Sequence, residues 1–596
     1  MILDHGRDEV SAPRGADPDG AGRVSDFEVP IMPFHHRASG SPRVALLASP
    51  LLLALACSAT DNTQTGAGAS GGGGSGAGAT TSSSEGAGGI GGDLTGAGGT
   101  GGKPIIEDPK TCAAAADSKS YVGCDFWPTV VDNIVWPQFD YAVVVANAGE
   151  NEADVTVTRN GASVTTAKVA PNSLGTLYLP WVPELKGTDS ILACAPSSIK
   201  LQTVRAPGGA YHLTSSVPVT VYQFSAIEYA AKGGPPGKDW SACSGLLCQT
   251  NGCFSFTNDA SLLLPSTALT GNYRVTGYPR WLDTENEPAF EYPPYIAITG
   301  VQDGTKVTVK LSGTASVAGG GGVASAGAGE SITFDVAAGE VIELIGGKGS
   351  DLSGSLVTAT APVQVISGIA CSNVPESTNA CDHLEESVFP AETLGKHYFV
   401  TAPTTHHGVP KGHVVRLYGN FDGTSLTYPG KNPGGPSTLQ AGQVVDLGIV
   451  NDDFEVVGTE AFAVATFQLG AELIDPGVPA NQQKGDPAQS LMTSTEQYRT
   501  KYVFLAPADY DVSYIDVVLP MTAQLELDGA APAAPVVPLS SGYGVARIQL
   551  GAGNNGAHVL KATEPVGLQV MGYGTYTSYQ YPGGLNLSEI AIAPPK

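Results

Sequence analysis

The chain has 596 residues and a formal net charge of −26 at pH 7. This acidity argues against nucleic acid as a partner, because binding a polyanion needs a basic footprint. Charged residues make up only 14% of the chain, whereas it contains 77 glycines and 43 prolines. The composition therefore favours strands and turns over long helices, and the length is too great for one hydrophobic core.

An apolar segment near the N-terminus ends in a cysteine. Residues 44–57 follow a basic stretch, are mostly apolar and finish with Ala56-Cys57. With about 13 apolar residues the segment is too short to cross a bilayer, which takes about 20, but it has the parts of a secretory signal. Its end resembles a bacterial lipobox. We therefore predict a lipoprotein signal at 32–57 with lipidation of Cys57; an ordinary cleaved signal and a buried core segment are the alternatives.

Two further N-terminal segments lack the composition of a folded domain. Residues 1–31 are polar and acidic and precede the predicted signal, so we regard them as a non-native or disordered extension, with Met32 as the start. Residues 58–103 consist mainly of Gly, Ala, Ser and Thr. Such a sequence behaves as a flexible coil with a span of about 35 to 40 Å. We expect this linker to hold the ectodomain at 104–596 away from a membrane.

The ectodomain contains an internal repeat, which we call the proline box. Each box is a short alternating strand pattern around one position, and the four copies are centred on Pro218, Pro362, Ala461 and Pro565. Proline cannot donate a hydrogen bond to a sheet, so it suits the first residue of a strand after a bend. Two more strand patterns precede each box. In two copies they are joined by Asp303-Gly304 and Asp422-Gly423, which predict hairpin turns.

Four copies of one order of elements predict an all-β fold. We expect about four tandem antiparallel β-sandwich-like modules behind the disordered stalk. Their predicted boundaries lie near 124–230, 260–371, 384–474 and 490–596. The start of a module repeats as well, since Tyr273 and Tyr398 stand at the same offset from Pro265 and Pro390, and Tyr502 gives a weaker third copy.

Eight cysteines remain when Cys57 is assigned to lipid: Cys112, Cys124, Cys194, Cys243, Cys248, Cys253, Cys371 and Cys381. An even number in an exported chain predicts disulfides. We predict that Cys371 pairs with Cys381 and that Cys112 pairs with Cys124, because each pair flanks one short segment. Cys194 is then left to join the remaining cluster of three. Zinc is the alternative for that cluster, but its spacing lacks the CxxC pairs of a zinc ribbon.

Several motifs of the ectodomain resemble one known family. They include the run that starts at Gly123-Cys124, the segment 259–265 and, most specifically, Cys381-Asp382-His383-Leu384-Glu385-Glu386. These residues resemble the IgGFc-binding protein N-terminal domain family over roughly 120–596. The family is named for an animal mucus protein that binds the Fc part of immunoglobulin G, and it also occurs in bacterial secreted proteins. The resemblance therefore implies an exported binding protein, although immunoglobulin binding does not follow because no Fc-contact motif is matched.

The block Asp382–Glu386 also offers a different chemistry. His383 beside three carboxylates could form a metal or acid/base site, because carboxylates raise the pKa of an imidazole and bind cations. The block lacks the HExxH spacing of a metalloprotease, so we expect a polar loop whose side chains bond to backbone groups. A second loop carries His406, His407 and His413. From the sequence we assign no catalytic residue, no metal ligand and no cofactor.

Together these features predict a lipid-anchored extracytoplasmic protein, not an enzyme, at the outer membrane or cell surface. We expect it to bind an unknown macromolecule or glycan through its module faces and loops, to contact the membrane through its anchor, and to bind no nucleic acid. Two alternatives stay open. One is an extracellular hydrolase with a carboxylate and histidine site near His383, and the other is a structural surface component.

Overall fold

The computed structural model describes residues 108–590 apart from 193, 245–253, 256–257, 285–288, 379, 480–481, 508–509 and 552–555. The described residues all fall in one compact unit, Gly99–Lys596. Its α-helices are Cys112–Ser118, Pro183–Lys186 and Ala471–Ile474, and its 3₁₀ turns are Ser241–Ser244, Ala391–Thr393 and Thr495–Gln497. None of the described helices has the length and apolar character to cross a membrane. The predicted signal, Cys57, the linker, Cys248 and Cys253 lie outside the described residues.

The first group of strands follows the N-terminal helix. It comprises β1 (Gly123–Phe126), β2 (Tyr141–Asn147), β3 (Ala153–Arg159), β4 (Ala162–Val169), β5 (Ser173–Leu179), β6 (Val204–Ala206), β7 (His212–Ser225) and β8 (Ala260–Leu263). The long strand β7 pairs in two layers. One layer has the order β1-β7-β3-β4 and the other has the order β8-β7-β2-β5.

The second group is the largest. It comprises β9 (Asn272–Arg274), β10 (Trp281–Asp283), β11 (Phe290–Tyr292), β12 (Pro294–Gly300), β13 (Thr305–Lys310), β14 (Ser331–Val336), β15 (Val341–Ile345), β16 (Leu356–Ala359), β17 (Val363–Ser372) and β18 (Asp382–Ser387). One sheet has the order β9-β16-β13-β14 and the other has the order β18-β17-β12-β15-β6. Strands β10 and β11 form a separate ribbon.

The third group repeats this plan on a smaller scale. It comprises β19 (His397–Val400), β20 (His413–Gly419), β21 (Thr424–Thr427), β22 (Thr438–Leu439), β23 (Val444–Val450), β24 (Phe454–Gly458), β25 (Phe462–Gln468) and β26 (Gln489–Leu491). Its sheets have the orders β19-β24-β21-β22 and β26-β25-β20-β23.

The fourth group again has one long strand that pairs in two layers. It comprises β27 (Arg499–Leu505), β28 (Val512–Pro520), β29 (Leu525–Leu527), β30 (Val536–Pro538), β31 (Tyr543–Leu550), β32 (Ala557–Gly574) and β33 (Thr577–Pro582). The layers have the orders β27-β32-β29 and β33-β32-β28-β31-β30.

All four groups share one antiparallel pairing order, so the predicted all-β class of repeated sandwich-like modules is confirmed. In each group, the first strand pairs with the strand that leads into the proline box, and the strand that leaves the box pairs with a final strand. These final strands are β8, β18, β26 and β33. Three of them lie at or beside the predicted start of the following module. The predicted boundaries stay a prediction, but strand pairing extends across them.

The proline box is the point where the chain passes from one layer to the other. In the second group β16 ends at Ala359 and β17 begins at Val363, directly after Pro362. In the first and fourth groups the strand continues through Pro218 and Pro565 and changes its pairing partners there. The missing N–H of proline suits this bend, because the residue leaves one hydrogen-bond ladder as the next begins.

A repeated tyrosine fixes each of the last three boxes to the start of its own group. The hydroxyl of Tyr273 accepts from the Thr270 N–H at 3.0 Å and donates to the Val363 carbonyl at 2.6 Å. Tyr398 forms the same pair with the Gly395 N–H and the Phe462 carbonyl. Tyr502 forms it with the Arg499 N–H and the Val566 carbonyl. We call this arrangement the tyrosine clamp; it satisfies two backbone groups with one buried side chain.

The Asp-Gly hairpin prediction was wrong. Strand β12, which precedes Asp303-Gly304, pairs with β15 and β17, whereas β13, which follows it, pairs with β14 and β16. The turn therefore carries the chain between two packed sheets. Gly304 has a φ of +71°, as does Gly423 in the third group, so the residue meets the same left-handed requirement that a hairpin would impose.

The four final strands contact one another. Strand β8 contacts β18 and β33, and β26 contacts the same two strands, so the four close a ring that we call the hub. One large core cluster surrounds it with side chains from all four groups, including Tyr222, Leu384, Phe467 and Tyr581. Three smaller core clusters lie mainly in the first, second and third groups, and the first of these clusters also includes second-group residues such as Tyr295. The hub therefore joins the four groups of strands to one another.

Candidate functional site

The motif Asp382–Glu386 lies on hub strand β18, and this corrects the expectation of a polar loop. All six residues of the strand are buried. The disulfide Cys371–Cys381 closes the loop just before it, with a Cα–Cα distance of 5.3 Å. The block forms a strand because β17 supplies its hydrogen-bond ladder while the polar side chains find partners on the other hub strands.

Asp259, at the start of β8, links three hub strands through backbone N–H groups. Its Oδ2 accepts from the N–H of Glu385 at 3.1 Å and from the N–H of Gln489 at 3.0 Å. Its Oδ1 accepts from the N–H of Ala260 at 2.9 Å. Burial raises the pKa of Asp259 well above its usual value, although these donors favour the ionised form. One carboxyl thus ties β8, β18 and β26 together.

Glu385 is the second connecting group. Its Oε1 accepts from Ser261 Oγ at 2.9 Å and from Gln223 Nε2 at 3.1 Å, both in the first group. Its Oε2 lies 3.0 Å from His383 Nε2. His383 and Glu385 are both fully buried. The histidine that seemed a candidate acid or base therefore pairs with a carboxyl inside the core.

Two further carboxyls approach each other between β18 and β26. Asp382 accepts from the N–H of His383 at 2.7 Å, and burial together with nearby Asp486 raises its pKa well above the usual range. Burial raises the pKa of Asp486 as well. Two neighbouring buried acids cannot both ionise without a large cost, so the protonated form is favoured here. Glu386 behaves alike: burial raises its pKa, and its Oε1 accepts from Leu262 N–H at 3.3 Å.

The described cysteines form three disulfides. Cys112 joins Cys124 with a Cα–Cα distance of 5.6 Å, and Cys194 joins Cys243 with a distance of 5.4 Å. The third bond joins Cys371 to Cys381 across the short loop before β18. The first bond fastens the N-terminal helix to β1. The second holds the long segment between β5 and β6.

The histidine-rich loop does not meet the motif. His406 and His407 instead face Asp475, which follows the helix Ala471–Ile474. His413 lies buried on β20, where burial lowers its pKa to about 3. Asp259, Asp486 and Asp475 were all missed as site residues. Asp259 belongs to a quoted motif, but no local pattern marks Asp475, which reaches the loop from 68 residues away.

A solvent-open cleft lies elsewhere, between the third and fourth groups. It has a volume of about 330 Å³ and is lined by residues 429–431, 452–454 and 538–540. Lys431 and Asp452 form an exposed ion pair at its edge. No histidine lines this cleft, so it lacks the combination of carboxylate and imidazole that the hub hides. This cleft and the buried motif therefore lie at different places in the fold.

Comparison with known proteins gives one family. A family model described as IgGFc binding protein matches residues 259–572, just over half of the chain, starting at hub residue Asp259. The curated IgGFc-binding protein of Homo sapiens is 29% identical over 235 residues, which cover 38% of this chain but only 4% of that protein. No solved structure matches significantly. The match leaves out the first group except for its final strand β8, although that group has the same pairing order as the others.

Proposed function

The chain belongs to the IgGFc binding protein family, and on this basis we propose that it is an exported, non-enzymatic binding protein of the cell surface. Its anchor would be a lipid on Cys57, at the outer membrane or cell surface, with the linker 58–103 as a spacer. Its ligand would be an extracellular macromolecule or glycan. The human relative is named for binding the Fc of immunoglobulin G, and Fc is therefore one ligand to test.

The observation that carries this proposal is the burial of the motif. Every residue of Asp382–Ser387 is buried, and His383 and Glu385 have no exposed side-chain surface. A general acid or base must come within hydrogen-bond distance of its substrate. A macromolecule cannot reach these groups without opening the hub. The motif therefore supports a structural role for the hub and leaves ligand contact to the outer loops.

The surface supports distributed contact with a ligand. Large apolar side chains that are exposed among the described residues lie in the first, third and fourth groups: Val164, Ile191, Leu192, Leu201, Val409, Ile449, Leu473, Met521 and Val537. A net charge of −26 disfavours polyanionic ligands. Repeated sandwich-like units with different loops suit several weak contacts, which gain strength from acting together.

The binding test uses the full chain on a sensor surface. The probes are Fc fragments of immunoglobulin G and a panel of mucin-type and matrix glycans. We expect saturable binding to at least one probe, and equal binding by Glu385→Gln, which keeps the shape and most hydrogen bonds of the hub. Hydrolysis of a peptide, ester or glycan by the wild type, with turnover abolished in Glu385→Gln, would overturn the proposal in favour of the hydrolase.

The anchor is tested separately by fractionation. We expect Cys57→Ala to leave the membrane fraction, because the acyl chains act together as the anchor. The matched control is Ser58→Ala, which changes the neighbouring residue and keeps the cysteine. Full membrane retention of the Cys57→Ala chain would refute lipidation at this residue while leaving the binding proposal intact.

A further inference from the structure

We propose that His406, His407 and Asp475 form a binding site for a divalent transition-metal ion such as Zn²⁺. His406 Nε2 lies 3.2 Å from Asp475 Oδ2, and His407 Nε2 lies 2.9 Å from Asp475 Oδ1. One ligand atom from each of the three side chains lies within 4.8 Å of the others. The two imidazole rings are 3.8 Å apart between centroids. Both imidazoles therefore converge on one carboxylate.

These separations are close to those of a coordinated ion. Ligand bonds of about 2.0 to 2.1 Å at tetrahedral angles place neighbouring ligand atoms about 3.3 Å apart. The two nitrogen to oxygen distances are near that value, although they end on different oxygens of the carboxylate. The three ligand atoms lie within 4.8 Å of one another, so the side chains must draw together to bind an ion. Imidazole nitrogen suits zinc, copper and nickel, whereas calcium and magnesium prefer sites made of oxygen alone. The ligand atoms of this site therefore favour zinc and similar transition-metal ions over calcium and magnesium.

The surroundings hold the ligands in place. Asp475 is only 5% exposed, and its Oδ2 also accepts from the Lys484 N–H at 3.3 Å. In the opposite loop, Thr405 Oγ1 donates to the Val409 carbonyl at 2.8 Å. The Thr405 N–H donates to the same carbonyl at 3.0 Å, which closes the turn that carries both histidines. Such outer hydrogen bonds orient the ligands of a metal site before the ion arrives.

The site also opens to solvent. The side chain of His407 is 52% exposed, so an ion can enter from solvent and keep a fourth position for water. Three protein ligands with one open position are the arrangement of an accessible zinc site rather than a closed structural one.

The other histidine and carboxylate pairs provide the comparison. His212 with Asp125, His397 with Glu455 and His558 with Asp528 each bring one imidazole to one carboxylate. In the described part of the chain, His406, His407 and Asp475 are the one group in which three such ligands meet. A single pair is an ordinary hydrogen bond, whereas a second imidazole on the same carboxylate supplies the third ligand that zinc requires.

The experiment is a Zn²⁺ titration of the full chain, purified without a polyhistidine tag and followed by calorimetry and by equilibrium dialysis. Variants are His407→Ala, whose side chain is half exposed, and Asp475→Asn, which keeps the shape of the buried group. His397→Ala is the matched control, since it removes an imidazole from a single pair. Thermal melts without metal verify that each variant is folded.

We expect the wild type and His397→Ala to bind Zn²⁺ alike, and both site variants to lose at least about tenfold in affinity, the lower end of what loss of a supporting partner costs a metal site. Co²⁺ should give visible absorption bands of a tetrahedral site in the wild type and lose them in His407→Ala. Ca²⁺ should not compete. Equal Zn²⁺ affinity in all four proteins, or no binding by the wild type, would overturn the proposal.

Discussion

The tyrosine clamp gives the most direct test of the repeat. In Tyr398→Phe the buried N–H of Gly395 and the carbonyl of Phe462 both lose their partner. A buried polar group without a partner costs about 1 to 3 kcal/mol. The backbone bond from the Phe462 N–H to the Gly395 carbonyl, at 3.0 Å, still holds the two segments together. Two such groups together cost about 2 to 6 kcal/mol, and because the backbone bond keeps the segments in place we expect the lower end, a net loss of about 2 kcal/mol in the free energy of unfolding.

The local readout is hydrogen exchange at the Gly395 amide. A loss of about 2 kcal/mol corresponds to exchange about 30-fold faster, since 1.36 kcal/mol is a factor of ten. Urea denaturation supplies the global value. Because Tyr273 and Tyr502 make the same bonds in other groups, their Phe variants should cost similar amounts. Tyr428→Phe is the control, with one bond from a half-buried hydroxyl to Pro436. Clamp variants that cost no more than this control would refute the reasoning.

Three further changes test burial, covalent closure and the hub. Burial, reinforced by Asp140, raises the pKa of Glu228 to about 7, above its usual 4.5, so the native state prefers its protonated form and loses stability as the pH rises from 4.5 to 7. The free energy of unfolding of Glu228→Gln, measured by urea denaturation and compared with that of the wild type, should rise by up to about 3 kcal/mol between pH 4 and pH 8. A difference between the two proteins that does not change with pH would contradict this. Replacing both Cys371 and Cys381 with Ala should cost about 2 to 3 kcal/mol by the same assay, because a short loop loses its closure; an unchanged urea midpoint would contradict it. Glu385→Ala should cost about 3 to 5 kcal/mol because it leaves buried partners unpaired, whereas Glu385→Gln should cost clearly less in the same titration.

The repeat could be predicted because its signals are local. A proline at a change of layer, and a tyrosine at a fixed offset from the module start, depend on backbone chemistry within a few residues. The hub could not be predicted from such signals. Whether β8 completes the first sheet or begins the second depends on which neighbour offers a free edge, and both choices give the same alternating pattern. The Asp303-Gly304 turn failed for a related reason, since its left-handed glycine fits a hairpin and a crossover equally well.

The polar residues show the same limit. His383 and Glu385 stand two positions apart, a spacing that places side chains on one face of a strand. The composition of the block indicated a polar loop, whereas its burial depends on Asp259 and Gln223, which lie more than 120 residues away. His407 likewise pairs with a residue far along the chain, Asp475, 68 residues away. Sequence reasoning located the chemistry but could not tell which groups would face each other.

The motif that resembles the family lies in the hub, and the hydrogen bonds of its buried carboxyls indicate a structural role. Apolar side chains could close the ring of final strands, but they would tolerate sliding of one strand past another. Asp259 accepts N–H groups from β18 and β26, and Glu386 accepts one from β8, so a shift by one residue would leave buried carboxyls and amides unpaired. We infer that the polar hub sets the register between groups. In that case the outer loops are free to differ in sequence while the arrangement that presents them to a ligand stays fixed.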